Sequence, residues 1–166
     1  MKNYKNKGMF LEVLVEKTSN YYLENNLFAI FKRDVPIKIY KVEEQKVSAY
    51  LKQKALSDYY GVYHGKMFDF EAKQTQQKKF LLSNLKSHQY EHLKTIRQFG
   101  AFSFLLLHFV IDDLFFAIPI DALEKVINNN ETLIDVAWCK KYGINLEIIF
   151  PGILNFKKFL ETIYGE

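Results

Sequence analysis

Asp58-Tyr59-Tyr60-Gly61-Val62-Tyr63-His64-Gly65-Lys66-Met67-Phe68-Asp69-Phe70-Glu71-Ala72-Lys73 is the run from which the fold can be read. From residue 67 to 73 it alternates with the period of a β-strand. That period sends Phe68, Phe70 and Ala72 to one face and Asp69, Glu71 and Lys73 to the other. Packing explains the first face, but not acid, acid and base aligned on the second. Asp58 precedes a turn carrying Gly61 and Gly65, so the chain can fold back and set its carboxylate beside Glu71. Two carboxylates at one point can hold a divalent cation, and a neighbouring lysine can stabilise charge on a phosphate. Metal-dependent phosphodiester cleavage needs that set of groups. On the residues alone, a turn aspartate and a surface strand glutamate are the simpler reading.

Outward from this run, residues 9–25 read as a helix stopped by Asn25-Asn26, and 27–32 and 37–40 as strands with Pro36 at an edge or bulge. Residues 41–57 are the most polar stretch and read as a projecting hairpin or short helix. Residues 75–86 read as a polar loop. Ser87 is an expected N-cap, and Gly100 an expected stop, for a helix over 88–99 with Leu93 and Ile96 on its buried side. Residues 101–110 and 114–118 read as a buried hairpin turning at Asp112-Asp113. Asp121 with Glu124 suggests a capping box. A helix is expected over 131–141, a strand over 144–150, and an amphipathic helix over 153–164. This alternation predicts one α/β domain, 1–166, with a mixed sheet and a projection at about 41–57.

The 166 residues can bury a substantial core, and about half are hydrophobic. The single Cys139 excludes an intramolecular disulfide and a Cys-based zinc site. No apolar run approaches the ~20 residues that span a bilayer. MKNYKNKG lacks an apolar signal region, so a reduced, cytoplasmic location with no membrane partner is expected. The net charge of +4 is unevenly distributed. Residues 1–97 carry 18 Lys/Arg against 10 Asp/Glu, and residues 98–166 carry 5 against 9. The basic excess shares its portion of the chain with the Asp58–Lys73 run, which suits a polyanion. A solvated basic face would have the same composition.

The motifs resemble the bacterial RecU family of Holliday junction resolvases. The similarity begins at Lys7-Gly8-Met9-x-Leu11-Glu12. It is strongest at Ser57-Asp58-Tyr59-x-Gly61-Val62-Tyr63-x-Gly65-x-x-x-Asp69-Phe70-Glu71-Ala72-Lys73-x-Thr75. It continues through His88-Gln89-x-x-His92 and Gly100-x-x-Phe-x-x-Leu. The resemblance implies a restriction-endonuclease-like mixed sheet flanked by helices, with a stalk. It implies a homodimer that nicks opposed strands of four-way junction DNA in recombination and repair. Mg²⁺ is the implied cofactor, with Mn²⁺ as a substitute. By the same resemblance Asp58, Glu71 and Lys73 carry the chemistry, with Asp58, Glu71 and Gln89 at the metal, and residues 41–57 occupy the stalk's place. Two departures stand out. The family's threonines before the motif aspartate are here Leu56-Ser57, so a Leu56 carbonyl, the Ser57 hydroxyl or water would take their part. The basic extension before Gly8 is also shorter than usual.

Other residues carry two readings each. Lys41, Lys46, Lys52 and Lys54 are the expected DNA contacts, or solvated charge. Gln89 is a metal-site residue or an exposed first-turn residue. Glu12 is an extra carboxylate or a surface acid. Asp69 is expected to be structural, bonding a loop amide. Tyr59, Tyr60 and Tyr63 stack on unpaired bases or belong to the core. The four histidines form no metal pattern. The alternative function is a scaffold with a decayed site that presents DNA or a recombinase to other proteins. A third is a restriction-type enzyme for linear duplex.

Overall fold

The computed structural model describes residues 9–44, 46–52 and 56–165. Helix α1 (Met9–Glu24) ends where Asn26 takes φ 54°, a left-handed conformation that asparagine tolerates. Strand β1 (Ala29–Lys32) leads to a two-stranded ribbon, β2 (Ile37–Glu43) and β3 (Lys46–Leu51). The projection is therefore a hairpin, and it begins at Ile37 rather than at residue 41, because Ile37 to Ile39 pair with β3 and not with the main sheet. Strand β4 (Tyr59–Tyr63) turns through His64 and Gly65, both with positive φ, into β5 (Lys66–Thr75). Two positive φ values in a two-residue loop match the twist of a hairpin. Gly61 lies inside β4 rather than in the turn. A side chain there would meet the Phe68 ring at 2.2 Å and the Ala29 carbonyl at 2.5 Å.

The expected loop after β5 contains β6 (Lys79–Leu81) and a 3-10 turn over Leu82–Asn84. Phe80, buried amid polar residues, pairs with Ile134 of a second short strand. Helix α2 (Ser87–Gln98) has Lys86, not Ser87, at its N-cap, and Gly100 with φ 94° follows its end. Strands β7 (Phe102–Phe109) and β8 (Leu114–Pro119) form the expected buried hairpin. Helix α3 (Ile120–Asn128) has no side-chain cap. Asp121 instead accepts from Arg97, and Glu124 pairs with Lys94. The helix expected over 131–141 is divided into β9 (Leu133–Asp135) and α4 (Val136–Tyr142), because Asp135 accepts from the Trp138 amide and caps a later start. Strands β10 (Ile144–Leu146), β11 (Ile148–Ile149) and β12 (Ile153–Leu154) precede α5 (Phe156–Tyr164). Asn155 caps that helix.

The main sheet is mixed, in the order β1-β4-β5-β7-β8-β10. Only its β5/β7 neighbours run parallel, joined by a crossover through α2. Helices cover both faces. Phe68, Phe70, Phe104 and Leu106 face α1 and α5, whereas Leu105, Leu107 and Phe116 face α2, α3 and α4. The strand parity expected for β5 therefore holds. Its aromatic face joins one core, and its polar face turns toward α2.

Candidate active site

Asp58 sits at the mouth of β4, pinned on both sides. Its main-chain carbonyl accepts from the Arg33 amide at 2.8 Å, and its carboxylate Oδ2 accepts from the Ala72 amide at 3.0 Å. The second bond lays the side chain across β5 beside Glu71, where the negative charge of one carboxylate acts on the other. Glu71 has no exposed surface. Its Oε1 accepts from Lys73 Nζ at 2.6 Å and from Gln89 Nε2 at 2.5 Å. Its Oε2 is buried, with no hydrogen-bond partner among the described residues. Burial first, and the Asp58 charge second, push the Glu71 carboxyl up to about 7, while Lys73 pulls it down.

A buried acceptor with nothing to accept, facing a second carboxylate, is a donor set suited to a cation. Magnesium is commonly bound by one or two carboxylates, with water and substrate phosphate completing the shell. No cluster of three or more His, Cys, Asp and Glu side chains suited to a metal occurs among the described residues, so Asp58 and Glu71 would be the protein's side-chain share. The Gln89 oxygen does not point toward this pair. It accepts from the Lys86 amide at 3.0 Å, and the Gln89 amide nitrogen braces Glu71. The Ser57 hydroxyl is also engaged elsewhere. It donates to Asp69 Oδ1 at 2.5 Å and accepts from Arg33 Nε at 2.9 Å.

Asp69 is structural, as expected, but its partners are side chains rather than a loop amide. It is fully buried and held by Ser57, by the Arg33 guanidinium and by His92 Nε2 at 3.2 Å. Arg33 in turn lies over the Tyr60 ring at 4.6 Å. The sequence alone assigns Arg33 and His92 no role. The available signal is Asp69 itself, an acid fixed by strand parity on the face that α2 covers. Glu12 pairs with Lys32 at 2.8 Å, with both side chains more than half exposed, a surface pair of little energetic weight. Tyr59 and Tyr63 belong to the core, and Tyr59 stacks on Phe70. On the ribbon, Lys41 pairs with Glu43 at 2.6 Å, and Lys46 and Lys52 are exposed. Lys54 and the Lys7-Gly8 start of the motif lie outside the described residues.

A family model described as "Recombination protein U" matches residues 6–162. The chain is 41% identical over 163 residues to the Holliday junction resolvase RecU of Ureaplasma parvum serovar 3, covering 97% of this chain and 95% of that one. It is 32% identical over 172 residues to the Holliday junction resolvase RecU of Bacillus cereus, covering 97% and 86%. Hjc of Archaeoglobus fulgidus, a Holliday junction resolvase of solved structure, overlaps with a TM-score of 0.48 at 20% identity, covering 81% of this chain and 90% of that one. The family model and the sequence relatives carry the assignment without that overlap.

Proposed function

The chain belongs to the RecU family, and from that membership we propose that it is an endonuclease that resolves four-way DNA junctions by paired nicks, in recombination and repair. The observation that carries the reading is the meeting of Asp58, Glu71 and Lys73, with the buried Glu71 Oε2 lacking a partner among the described residues. Asp58 and Glu71 would hold Mg²⁺, or Mn²⁺ in its place. Bound there, the ion supplies Lewis-acid stabilisation of charge on the phosphate and on the leaving 3′ oxygen. Lys73 stands at the same carboxylate, and in this reading it would donate to an attacking water or to a non-bridging phosphate oxygen. Water adds to phosphorus as the bond to the 3′ oxygen breaks, leaving a 5′ phosphate and a 3′ hydroxyl. Gln89 holds Glu71 in place throughout. Two copies related by a two-fold axis would match the symmetry of a junction and cut opposed strands. The exposed Lys46 and Lys52 of the ribbon, with Lys41, suit phosphate contacts that position the substrate without reading sequence.

The test is cleavage of a synthetic four-way junction with Mg²⁺ and with a chelator. Wild type should nick only with the metal. Asp58→Ala should bind the junction with undiminished affinity and leave it intact. Cutting by that variant at a wild-type rate refutes the site. Junction binding by wild type with no metal-dependent nick would instead support the scaffold reading, and faster cutting of linear duplex the restriction-type one.

A further inference from the structure

The geometry points to Arg33, Ser57 and Asp69 as positioning residues that set the Asp58 carboxylate for metal binding. This rests on the Asp58–Glu71 pair being the metal site. Ser57 immediately precedes Asp58, so whatever fixes Ser57 fixes the backbone from which the carboxylate extends. Ser57 is almost completely buried, and its hydroxyl is used twice, toward Asp69 and from Arg33. Arg33, immediately after the end of β1, ties three residues together. Its guanidinium reaches Asp69 and Ser57, and its amide bonds the Asp58 carbonyl. Asp69 anchors the group to β5, two residues before Glu71 on the same face, and His92 closes it from α2. Both carboxylates are thereby referenced to β5: Glu71 belongs to it, and Asp58 is tied to it by the Ala72 amide at its side chain and by this cluster at its backbone. A fully buried carboxylate needs partners for its own sake, and that alone would make the cluster a stability element. Yet its contacts converge on the two residues that carry and precede Asp58, which is the placement expected of groups that orient a ligand.

The test is Mn²⁺ titration of the metal-free full-length protein, followed by electron paramagnetic resonance, with thermal unfolding recorded in parallel. Ser57→Ala and Arg33→Met should each weaken Mn²⁺ binding by about tenfold. Ser57→Thr, which keeps the hydroxyl, should bind as wild type does. Arg33→Met alone leaves the buried Asp69 charge with only Ser57 and His92 as partners and should unfold earlier. Adding Asp69→Asn neutralises that charge, so the double variant should regain thermal stability while its Mn²⁺ binding stays weak. Recovery of both together would show that the cluster only stabilises the fold, and overturns the inference. So does Mn²⁺ binding by the single variants that equals wild type. Failure of wild type to bind Mn²⁺ would instead overturn the metal-site reading on which the inference rests.

Discussion

Glu71 spends its burial on a carboxyl that favours the neutral form. Its folded-state pKa of about 7 lies above the ordinary 4.5, so without metal the folded chain retains a proton that the unfolded chain releases. That contribution is fully present below about pH 4.5, is lost as pH rises to about 7, and changes little beyond. For one group the span is up to about 3 kcal/mol. Glu71→Gln removes it. The metal-free variant should therefore gain on wild type between pH 5 and pH 8 in urea unfolding, and parallel curves would refute the assignment. Gln89→Leu removes the brace and leaves the Lys86 amide unpaired, so nicking should fall by about 10- to 100-fold with junction binding retained. At this scale the sequence was legible where strand parity decides the matter. Glu71 and Lys73 fall on one face by counting, and a short hairpin returns Asp58 to them. The orientation of Gln89 and the Arg33–Ser57–Asp69–His92 cluster were not legible. They depend on which atoms of residues 33, 57, 69 and 92 meet across four separate segments, and no local periodicity records that.

Among the elements, β4 tolerates no side chain at Gly61. Phe68, its partner across the hairpin, occupies the space, and the Ala29 carbonyl closes it on the other side. Backbone cannot retreat as a flexible side chain can, so Gly61→Ala should cost about 3 kcal/mol or more in chemical denaturation. Gly65→Ala meets open space and bears only the strain of φ 77°, about 1 kcal/mol. Equal losses at the two sites would refute this account. Elements with a long regular pattern were legible, among them α1, β5, β7, β8 and α2. The three-residue strands β6 and β9 were not, because each is too short to show a period. Phe80 and Ile134 declare themselves only as a pair brought together over more than fifty residues. The expected caps at Ser87 and Asp121 also failed. A side chain able to cap stood near each helix start, but each helix began too early in the chain to use it.

The whole molecule divides into a helix-covered sheet and a ribbon that pairs with none of its strands. Ile37, Ile39, Val42, Val47, Ala49 and Leu51 share one face of that ribbon by register, and the five larger ones are exposed by half or more. A two-stranded ribbon has little stability of its own, and an exposed apolar face on it is expected to be covered by a partner surface. Replacing residues 37–51 by a short turn should leave unfolding of the sheet and Mn²⁺ binding intact. It should weaken junction binding and flatten its salt dependence, by up to ~0.9 in the log–log slope for each phosphate that the ribbon no longer neutralises. An unchanged slope would remove the ribbon from the DNA interface. Light scattering should give twice the chain mass, as paired nicks require. The ribbon also leaves and rejoins the sheet at a single point, where the Arg33 amide meets the Asp58 carbonyl. Between Arg33 and Asp58, residues 37–51 are an insertion that can be shortened, or exchanged for a foreign hairpin, without shifting the register of β1 on β4. Reach and chemistry are thus separately adjustable in this scaffold.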